Sequence, residues 1–378
     1  MSVVIPYKQR LENLRSVFAS LAEQTMDRSE FEVVVGALEY CPGYLALCRE
    51  YADRLTIVSV LADREWNTGH ARNIALRQAS GEILVLLDAD VALPPNALRG
   101  LRTRYFADGR EICVLGQLIG YDVKVDRSAV AAASFDRHRA ALAELDAARG
   151  LRQDERWLFE PVRLPWTMVW TGFVAVSGAP LRRHELWFDE GFQGWGGEDQ
   201  EWGYRLGAAG VPIVLGEDVY GLHLPHVRDV ASNAVTFDAN KWYFLSKWPR
   251  LDVELFRSAD SWEANRAYPQ FRREVEAVLD RPDRTLGVVR GAKDGEDLMV
   301  VGVQLDDQLR VCDPELDGLA AGGYPQQTVP VVGIALPFPD GSVARCRLTP
   351  RVLRLGERYR EMVLREARRV GREVLLPA

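Results

Sequence analysis

Residues 82–90 read EILVLLDAD, an almost wholly apolar run that ends in two aspartates one residue apart. A short, continuous apolar run of this kind predicts a strand that is buried on both faces of a sheet. Comparable runs stand at 2–6 (SVVIP), 31–38 (FEVVVGAL) and 54–61 (RLTIVSVL), and segments with helical spacing separate them. Strands that alternate with helices predict an α/β fold, with helices on both faces of a mostly parallel, Rossmann-like sheet.

The character of the sequence changes near Thr285. Short strand-like runs such as LMVVGVQL and SVARCRL follow, separated by Gly, Pro and Asp turns, and an Arg- and Glu-rich amphipathic pattern begins at Pro350. We therefore predict an α/β domain over residues 1–284 and a β-rich accessory domain over residues 285–378 that ends in a helix. The pattern leaves open whether the second domain binds an acceptor, another protein or a second copy of the chain in a homo-oligomer.

The composition argues against several classes of protein. With 47% hydrophobic residues among 378, the chain can form a sizeable core. Its net charge of −7 argues against a nucleic-acid partner, because nucleic acids bind to a basic protein surface. The five cysteines are scattered and form no CxxC pair, which is typical of a reducing compartment. The sequence contains no signal-peptide pattern and no apolar run long enough for a transmembrane segment. We expect a cytoplasmic protein.

The two aspartates that end the 82–90 run are the first candidate ligands. Ligands bind such sheets beyond the carboxyl ends of the strands, the edge at which Pro6, Glu39 and Asp63 are also expected. Side chains on alternate residues of an extended segment point the same way, so Asp88 and Asp90 can face one divalent cation. Mg²⁺ and Mn²⁺ prefer such oxygen ligands. The alternative interpretation is a solvated turn after a strand.

Two further motifs contribute an arginine and two histidines. The stretch 63–73 (DREWNTGHARN) puts a glycine before a helix that carries Arg72, which can reach a diphosphate or a base carbonyl. A surface helix with one cap is the equally weighted alternative. The stretch YGLHLPHVRD puts His223 and His226 after a predicted strand, and the imidazole of one of them is a candidate metal ligand. The sequence does not distinguish between the two.

The stretch GWGGEDQEWGYRL, residues 194–206, combines glycines, acids and tryptophans. It predicts a helix from Glu198 that ends at Gly210, preceded by a mobile loop whose Gly196 and Gly197 permit close approach of a ligand. The helix dipole favours ionised carboxylates in the first turn, as a general base requires, and Trp195 offers a flat face for a sugar ring. The alternative is a capped helix behind an ordinary turn.

Together these segments resemble the GT-A fold glycosyltransferases of the large family 2. VVIPYKQR is similar to the family's opening strand, and ARNIAL with ASGEILVLLDAD is similar to its Arg-Asn helix and DxD strand. Residues 177–210, which contain GWGGED, resemble the acceptor-side region of β-1,4-galactosyltransferases and bacterial chondroitin polymerases. The likeness spans roughly residues 2–250. It implies a nucleotide-sugar donor, most often UDP-linked, a Mn²⁺ or Mg²⁺ ion and inversion at the anomeric carbon.

The resemblance also implies roles for individual residues. Asp90 and His223 bind the metal, and Asp199 is the catalytic base that deprotonates an acceptor hydroxyl. Asp88 touches the ribose of the donor or the waters of the metal, and Trp195 and Glu198 hold the acceptor or donor sugar. The implied contacts to the nucleoside, base and diphosphate of the donor come from Pro6, Tyr7, Asp63 and Arg72.

The sequence departs from the family at the end of the second strand. VVVGALEYCPG stands where the family usually has an Asp-Asp-Gly-Ser element, and Glu39 is the nearest acid, so the identity of the base stays open. The rival functions are a retaining transferase of the same fold, a nucleotidyltransferase and an inactive sugar-binding module. Asp199 favours inversion, because retaining relatives often replace it. One DxD strand and one GWGGED loop predict the addition of one sugar per acceptor.

Overall fold

The computed structural model describes residues 1–120, 135–147, 154–158, 162–226, 229–293, 296–313 and 327–377. The chain divides into two compact units, Met1–Asn240 and Lys241–Ala378. The alanine-rich stretch 127–149 has a helical pattern in the sequence. The structure contains a helix over Phe135–Ala147, and the rest of the stretch lies outside the described residues.

The first unit alternates strands and helices from its first residues, as the apolar runs predict. In chain order its elements are β1 Ser2–Tyr7, α1 Leu11–Ala22, β2 Glu32–Ala37, α2 Pro42–Tyr51, β3 Ile57–Leu61, α3 Thr68–Leu76, β4 Ile83–Leu87, β5 Val91–Ala92, α4 Ala97–Tyr105, β6 Cys113–Ile119, α5 Phe135–Ala147, β7 Phe173–Ser177, α6 Gly178–Arg183, α7 Glu198–Ala208, β8 Ile213–His223 and most of α8 Val230–Lys247. Among the described residues of either unit, no helix is both long and apolar enough to cross a bilayer.

These strands form one sheet in the order β3-β2-β1-β4-β7-β6-β8-β5. Strands β1 to β4 pair in parallel, which confirms the predicted α/β architecture. Strand β7 runs antiparallel to both of its neighbours, β4 and β6, so the sheet is mixed beyond β4. The β1, β2 and β4 side chains are almost wholly buried, because helices pack on both faces of the sheet at these strands.

The second unit contains the end of α8, further helices and a five-stranded sheet, so the predicted β-rich region is confirmed. Its elements are α9 Leu251–Ser258, α10 Ser261–Val278, β9 Thr285–Lys293, β10 Glu296–Leu305, β11 Gln327–Val329, β12 Val343–Leu348, α11 Pro350–Leu353, α12 Glu357–Val370 and β13 Gly371–Leu375. The strand order is β11-β9-β10-β12-β13. The predicted C-terminal helix, α12, is followed by β13, which pairs in parallel with β12.

The compact second unit begins at Lys241, before the predicted domain boundary at 284/285. The reason is that helices α9 and α10 pack into the β-rich region. The buried Glu254 of α9 accepts hydrogen bonds from the backbone N–H groups of Val332 and Gly333, both at 2.7 Å. Phe271 of α10 meets Tyr359 of α12 with ring centroids 4.5 Å apart. These helices therefore belong with the sheet that follows them in the chain.

Candidate active site

A cleft of ≈ 870 Å³ lies in the first unit, where strands β1 and β4 end. The first turns of α7 and α8 and the end of β8 also line it. Ligands bind α/β sheets beyond the carboxyl ends of their strands, and the cleft occupies that position. Of the residues singled out in the sequence, it brings together Pro6, Arg72, Asp88, Asp90, Trp195, Glu198, Asp199, His223 and His226.

The other predicted donor residues lie outside the cleft lining. Tyr7 is fully buried and stacks on Tyr44 with ring centroids 4.8 Å apart. The carboxylate of Glu39 accepts a hydrogen bond from the backbone N–H of Gln9 at 2.8 Å, so it stands next to a residue that lines the cleft. Asp63 is exposed in the segment between β3 and α3. Donor contacts by these three residues stay predictions.

Asp90, His223 and His226 form a candidate metal centre. One ligand atom of each residue lies within 4.8 Å of the other two. The Nδ1 atom of His226 is 3.2 Å from Asp90 Oδ2, and the Nε2 atom of His223 is 3.8 Å from Asp90 Oδ1. The structure thus gathers both histidines that the sequence left as alternatives, around the second aspartate of the DxD motif.

The pairing of two short strand segments builds this centre. Val91 of β5 pairs with His223 at the end of β8, and the backbone N–H of Leu224 donates to the carbonyl oxygen of Asp90 at 2.7 Å. This register places residues more than a hundred positions apart in the chain side by side. His226 lies two residues beyond Leu224, close enough to turn its ring back to Asp90.

The donor set fits a divalent cation. Asp90 is 1% exposed, and its Oδ1 atom accepts no hydrogen bond within the part of the chain that the structure describes. A buried carboxylate oxygen without a donor is costly unless a cation or a proton satisfies it. The guanidinium of Arg10, 41% exposed at its side chain, contacts the other oxygen of Asp90. One carboxylate and two imidazoles are suitable ligands for Mn²⁺ and related ions.

Arg72 joins the two acidic motifs of the cleft. Its side chain, which extends from α3, is only 3% exposed. Nη2 donates to Asp88 Oδ1 at 3.1 Å, and Nη1 donates to Asp199 Oδ1 at 2.9 Å and to Glu198 Oε1 at 3.3 Å. Burial lowers the pKa of Arg72, but the three carboxylates outweigh it and hold the pKa above its usual range. One buried cation is therefore shared by three acids.

Thr171 fixes the orientation of Asp199. The backbone N–H of Thr171 donates to Asp199 Oδ2 at 3.0 Å, and its hydroxyl donates to Oδ1 at 2.5 Å. Thr171 is fully buried just before β7, so these donors are rigidly held. Hydrogen bonds to both oxygens of a carboxylate restrict its rotamer. Asp199 itself is 19% exposed at its side chain and reaches the cleft.

Glu198 differs from its neighbour in environment. Burial, followed by the nearby charge of Asp199, raises the pKa of Glu198 to about 7, although Arg72 opposes the shift. Its side chain is 10% exposed and lines the same cleft. A carboxyl group that titrates near neutrality can donate as well as accept a hydrogen bond.

The glycines before α7 hold a fixed backbone path. Gly196 and Gly197 have φ values of +88° and +89°, in the left-handed region that glycine adopts without strain. A Cβ atom at Gly196 would lie 2.8 Å from the ring of Phe237 in α8. Asn240 of α8 donates to the carbonyl oxygen of Gly196 at 2.7 Å. The expectation of a mobile loop is not tested by these contacts, which anchor the loop to α8.

Trp195 stands out from this anchored loop. Its side chain is 47% exposed and lines the cleft, with its ring edge-on to Phe237 at a centroid distance of 5.6 Å. Trp66 lines the same cleft and is 40% exposed. Two large, exposed aromatic rings in one cleft indicate a ligand with apolar ring faces.

Asn73, the neighbour of Arg72, has a structural role. Its amide donates to the carbonyl oxygen of Phe188 at 2.9 Å and accepts from the Phe188 N–H at 2.8 Å, as a strand partner would. His70 adds a contact to Glu190 at 2.8 Å. These residues fasten α3 to the segment that leads into the glycine loop, and so position Arg72 relative to α7.

Three contributors were missed in the sequence: Arg10, Thr171 and Trp66. Arg10 is the last letter of VVIPYKQR and Trp66 lies within DREWNTGH, so both were in quoted motifs without a role. Thr171 has no local signal, because only the pairing of β7 with β4 brings it to Asp199.

The chain is similar to known sugar transferases. Residues 2–155 match the model of glycosyl transferase family 2. Over its full length the chain is 27% identical to the validoxylamine A glucosyltransferase of Streptomyces hygroscopicus subsp. jinggangensis (strain 5008), of which the alignment covers 97%. The chondroitin synthase of Pasteurella multocida (strain Pm70) is 28% identical over 56% of this chain and 23% of its own length.

A solved structure shares the fold. The crystal structure of S. aureus TarS 1-349 in complex with UDP-GlcNAc superposes with a TM-score of 0.50 and 16% sequence identity, covering 74% of this chain and 76% of that one. At this identity the likeness concerns the fold alone.

Proposed function

Starting from the family to which this chain belongs, the family 2 glycosyltransferases, we propose that it moves one sugar from a UDP-linked donor to an acceptor hydroxyl with inversion at the anomeric carbon. Asp199 is the general base of this reaction. A divalent cation, Mn²⁺ or Mg²⁺, binds at Asp90 with His223 and His226 as further ligands.

One observation carries this proposal. Asp88 and Asp90 at the end of β4 share a cleft with Glu198 and Asp199 at the start of α7, and Arg72 hydrogen-bonds to both motifs. An inverting transfer needs a base on one side of the anomeric carbon and stabilisation of the leaving diphosphate on the other side. The motif of Asp88 and Asp90, with the two histidines beside it, suits the binding of the metal and diphosphate. The motif of Glu198 and Asp199, which has no histidine beside it among the described residues, suits the role of the base.

The transfer is a single displacement. Asp199 accepts the proton of the acceptor hydroxyl while that oxygen bonds to the anomeric carbon. The bond between the anomeric carbon and the diphosphate breaks, and its electron pair leaves with the diphosphate oxygen. Thr171 orients the carboxylate of Asp199 before the acceptor arrives. General-base assistance of this kind supplies about 10²–10⁴-fold in rate.

The metal ligands have a distinct task. A divalent cation, when bound, neutralises the charge that develops on the departing diphosphate. Asp90 brings the negative charge, and the two imidazoles at the end of β8 add neutral nitrogen ligands. Asp88 is 36% exposed at its side chain and adjoins this centre, from where it can reach the ribose of the donor.

The aromatic residues define the chemistry of the acceptor. Trp195 and Trp66 present flat faces in the cleft, and Glu198 offers a hydrogen-bonding carboxyl group beside them. Sugar and cyclitol rings combine apolar faces with hydroxyl edges, so we propose a polyhydroxylated ring compound as acceptor. Gly196 and Gly197 contribute by holding the backbone path on either side of this site, because their positive φ values place Trp195 in the cleft and Glu198 at the start of α7.

The relatives suggest the first donor to test. The 27% identical relative is a glucosyltransferase, and the TarS structure holds UDP-GlcNAc. We therefore propose UDP-glucose as the first candidate and UDP-GlcNAc as the second. We also propose a cytoplasmic location, since all five cysteines are unpaired, and the transfer of one sugar per acceptor.

A binding and product experiment tests the function. UDP, UDP-glucose and UDP-GlcNAc, each with and without Mn²⁺, are screened for a rise in Tm, because a ligand that binds the native state stabilises it. The best donor is then incubated with methyl glucosides and cyclitols, and the anomeric configuration of the product is read by proton NMR. Mn²⁺-dependent donor binding and an inverted product are expected. A retained configuration would eliminate the single displacement, and donor binding unaffected by chelation would eliminate the metal.

A further inference from the structure

The hydrogen bonds of Arg72 are not those expected of a residue that binds the diphosphate of the donor. Its guanidinium donates to Asp199, Glu198 and Asp88, at 2.9, 3.3 and 3.1 Å. A guanidinium shared by three carboxylates has its charge already balanced and little left for a diphosphate. Its Nε atom makes no hydrogen bond among the described residues, but it is buried and therefore does not reach a ligand in the cleft.

The contacts of Arg72 also differ from those of its neighbours on α3. Asn73 and His70 fasten the helix to residues 188–190 through backbone and side-chain hydrogen bonds. Arg72 lies over the ring of Phe188 at 5.1 Å, but all of its hydrogen bonds go to carboxylates of the two acidic motifs. Asn73 and His70 therefore hold α3 in place, whereas Arg72 binds the carboxylates of the two acidic motifs.

We propose that Arg72 is a positioning residue that acts through Asp199. Together with Thr171 it sets the direction of the carboxylate, and its positive charge offsets the repulsion among Asp199, Glu198 and Asp88. Without the guanidinium, the three neighbouring carboxylates would repel one another and turn away from the geometry that its hydrogen bonds hold. This role rests on the proposed function, since it requires that Asp199 is the base.

The contact with Asp88 extends this role to the donor side. Asp88 follows β4, two residues before the metal ligand Asp90. Nη2 of Arg72 binds Asp88 while Nη1 binds Asp199. The rigid, planar guanidinium therefore sets the distance between Asp88, on the side of the proposed donor, and Asp199, the proposed base. Lysine carries the same charge but only one nitrogen, so it cannot bridge the two motifs in the same way.

The test compares Arg72→Met and Arg72→Lys with the native chain. The rate is the release of UDP from UDP-glucose with Mn²⁺ and the methyl glucoside or cyclitol that serves as acceptor, and the affinity for UDP with Mn²⁺ is measured by calorimetry. We expect kcat to fall by about 10²-fold or more in Arg72→Met, with the Kd of UDP within about threefold of native. Arg72→Lys should recover part of kcat, because it keeps the positive charge that offsets the repulsion among the three acids.

A double mutant separates positioning from general structural damage. If Arg72 acts through Asp199, Arg72→Met combined with Asp199→Asn should lose no more kcat than Asp199→Asn alone. The control is Arg205→Met, which removes a partly buried arginine of α7 that binds Glu201 outside the cleft lining. We expect Arg205→Met to lower the Tm without a comparable loss of kcat.

Specific outcomes would overturn the proposal. A loss of UDP affinity greater than about tenfold in Arg72→Met, with kcat kept, would make Arg72 a donor contact. Multiplying effects in the double mutant would show that Arg72 does not work through Asp199. If Arg72→Met does not fold by circular dichroism, the same comparison is made with Arg72→Lys. Absence of Mn²⁺-dependent UDP binding by the native chain would instead refute the proposed function itself.

Discussion

Replacing Asp199 with asparagine removes the proposed general base while keeping its size and shape. In the native chain, Asp199 Oδ1 accepts from Arg72 and from the hydroxyl of Thr171, and Oδ2 accepts from the backbone N–H of Thr171. Asparagine has one acceptor oxygen and one NH₂ group. In either orientation, its NH₂ group faces at least one of these donors, so the substitution disturbs the site locally as well as removing the base.

The structure lets the two effects be sized separately. A buried donor that faces another donor loses its hydrogen bond, which costs about 1–3 kcal/mol in the free energy of unfolding. Loss of general-base assistance reduces kcat by about 10²–10⁴-fold, which corresponds to roughly 2.7–5.4 kcal/mol in the activation free energy. The first effect appears in the Tm, and the second appears in kcat at a temperature where the variant stays folded.

The assay follows UDP release from UDP-glucose at saturating donor in the presence of the methyl glucoside or cyclitol acceptor, with calorimetric UDP affinity measured alongside. Glu201→Gln is the matched control, because Glu201 is a buried acid of the same helix that binds Arg205 and does not line the cleft. We expect Glu201→Gln to lose stability but to keep kcat within about threefold. If Asp199→Asn turns over within about threefold of the native chain, Asp199 is not the base.

Three further outcomes are expected. Asp90→Ala should abolish both UDP-glucose turnover and the Mn²⁺-dependent rise in Tm while the far-ultraviolet circular dichroism stays native, and a retained Mn²⁺ shift would contradict the metal assignment. In the second unit, burial raises the pKa of Glu254 to about 7 from 4.5. Its contribution to stability is therefore fully present below pH 4.5 and is lost as the pH rises through 7. The Tm of the native chain should fall relative to that of Glu254→Gln over this window. Curves of Tm against pH that run parallel for the two proteins would refute the pKa shift. Mass spectrometry of a reaction with excess donor should show a single added sugar, and a ladder of masses would refute single transfer.

The elements that carry the site could be predicted because their signals are local. The run EILVLL forms β4 with the DxD aspartates at its end, since an apolar run of this length is stable only in the interior of a sheet. The helix predicted from Glu198 is α7, and Gly210 after it has a φ of +79°, as a glycine that ends a helix requires. Periodicity and capping depend on neighbouring residues, so the sequence contains this information directly.

Other features depended on strand pairing that no local pattern encodes. The antiparallel insertion of β7 between β4 and β6 brings Thr171 to Asp199, although 28 positions separate them. The compact units divide at 240/241, whereas the sequence changes in character near Thr285, because α9 and α10 have ordinary helical patterns. Their assignment to the second unit follows from partners far along the chain, such as the backbone around Gly333 that binds Glu254.

The sequence by itself determined the α/β character, the acids at the end of β4 and the acids at the start of α7, because each belongs to one continuous segment. Tertiary structure alone decided which residues meet between those segments. The register of β5 on β8 gathers both histidines around Asp90, and the position of α3 inserts Arg72 between Asp88 and Asp199. Charge balance among residues that are distant in sequence arises only when packing brings them within a few ångströms, and this balance decides how the acids of the cleft can act.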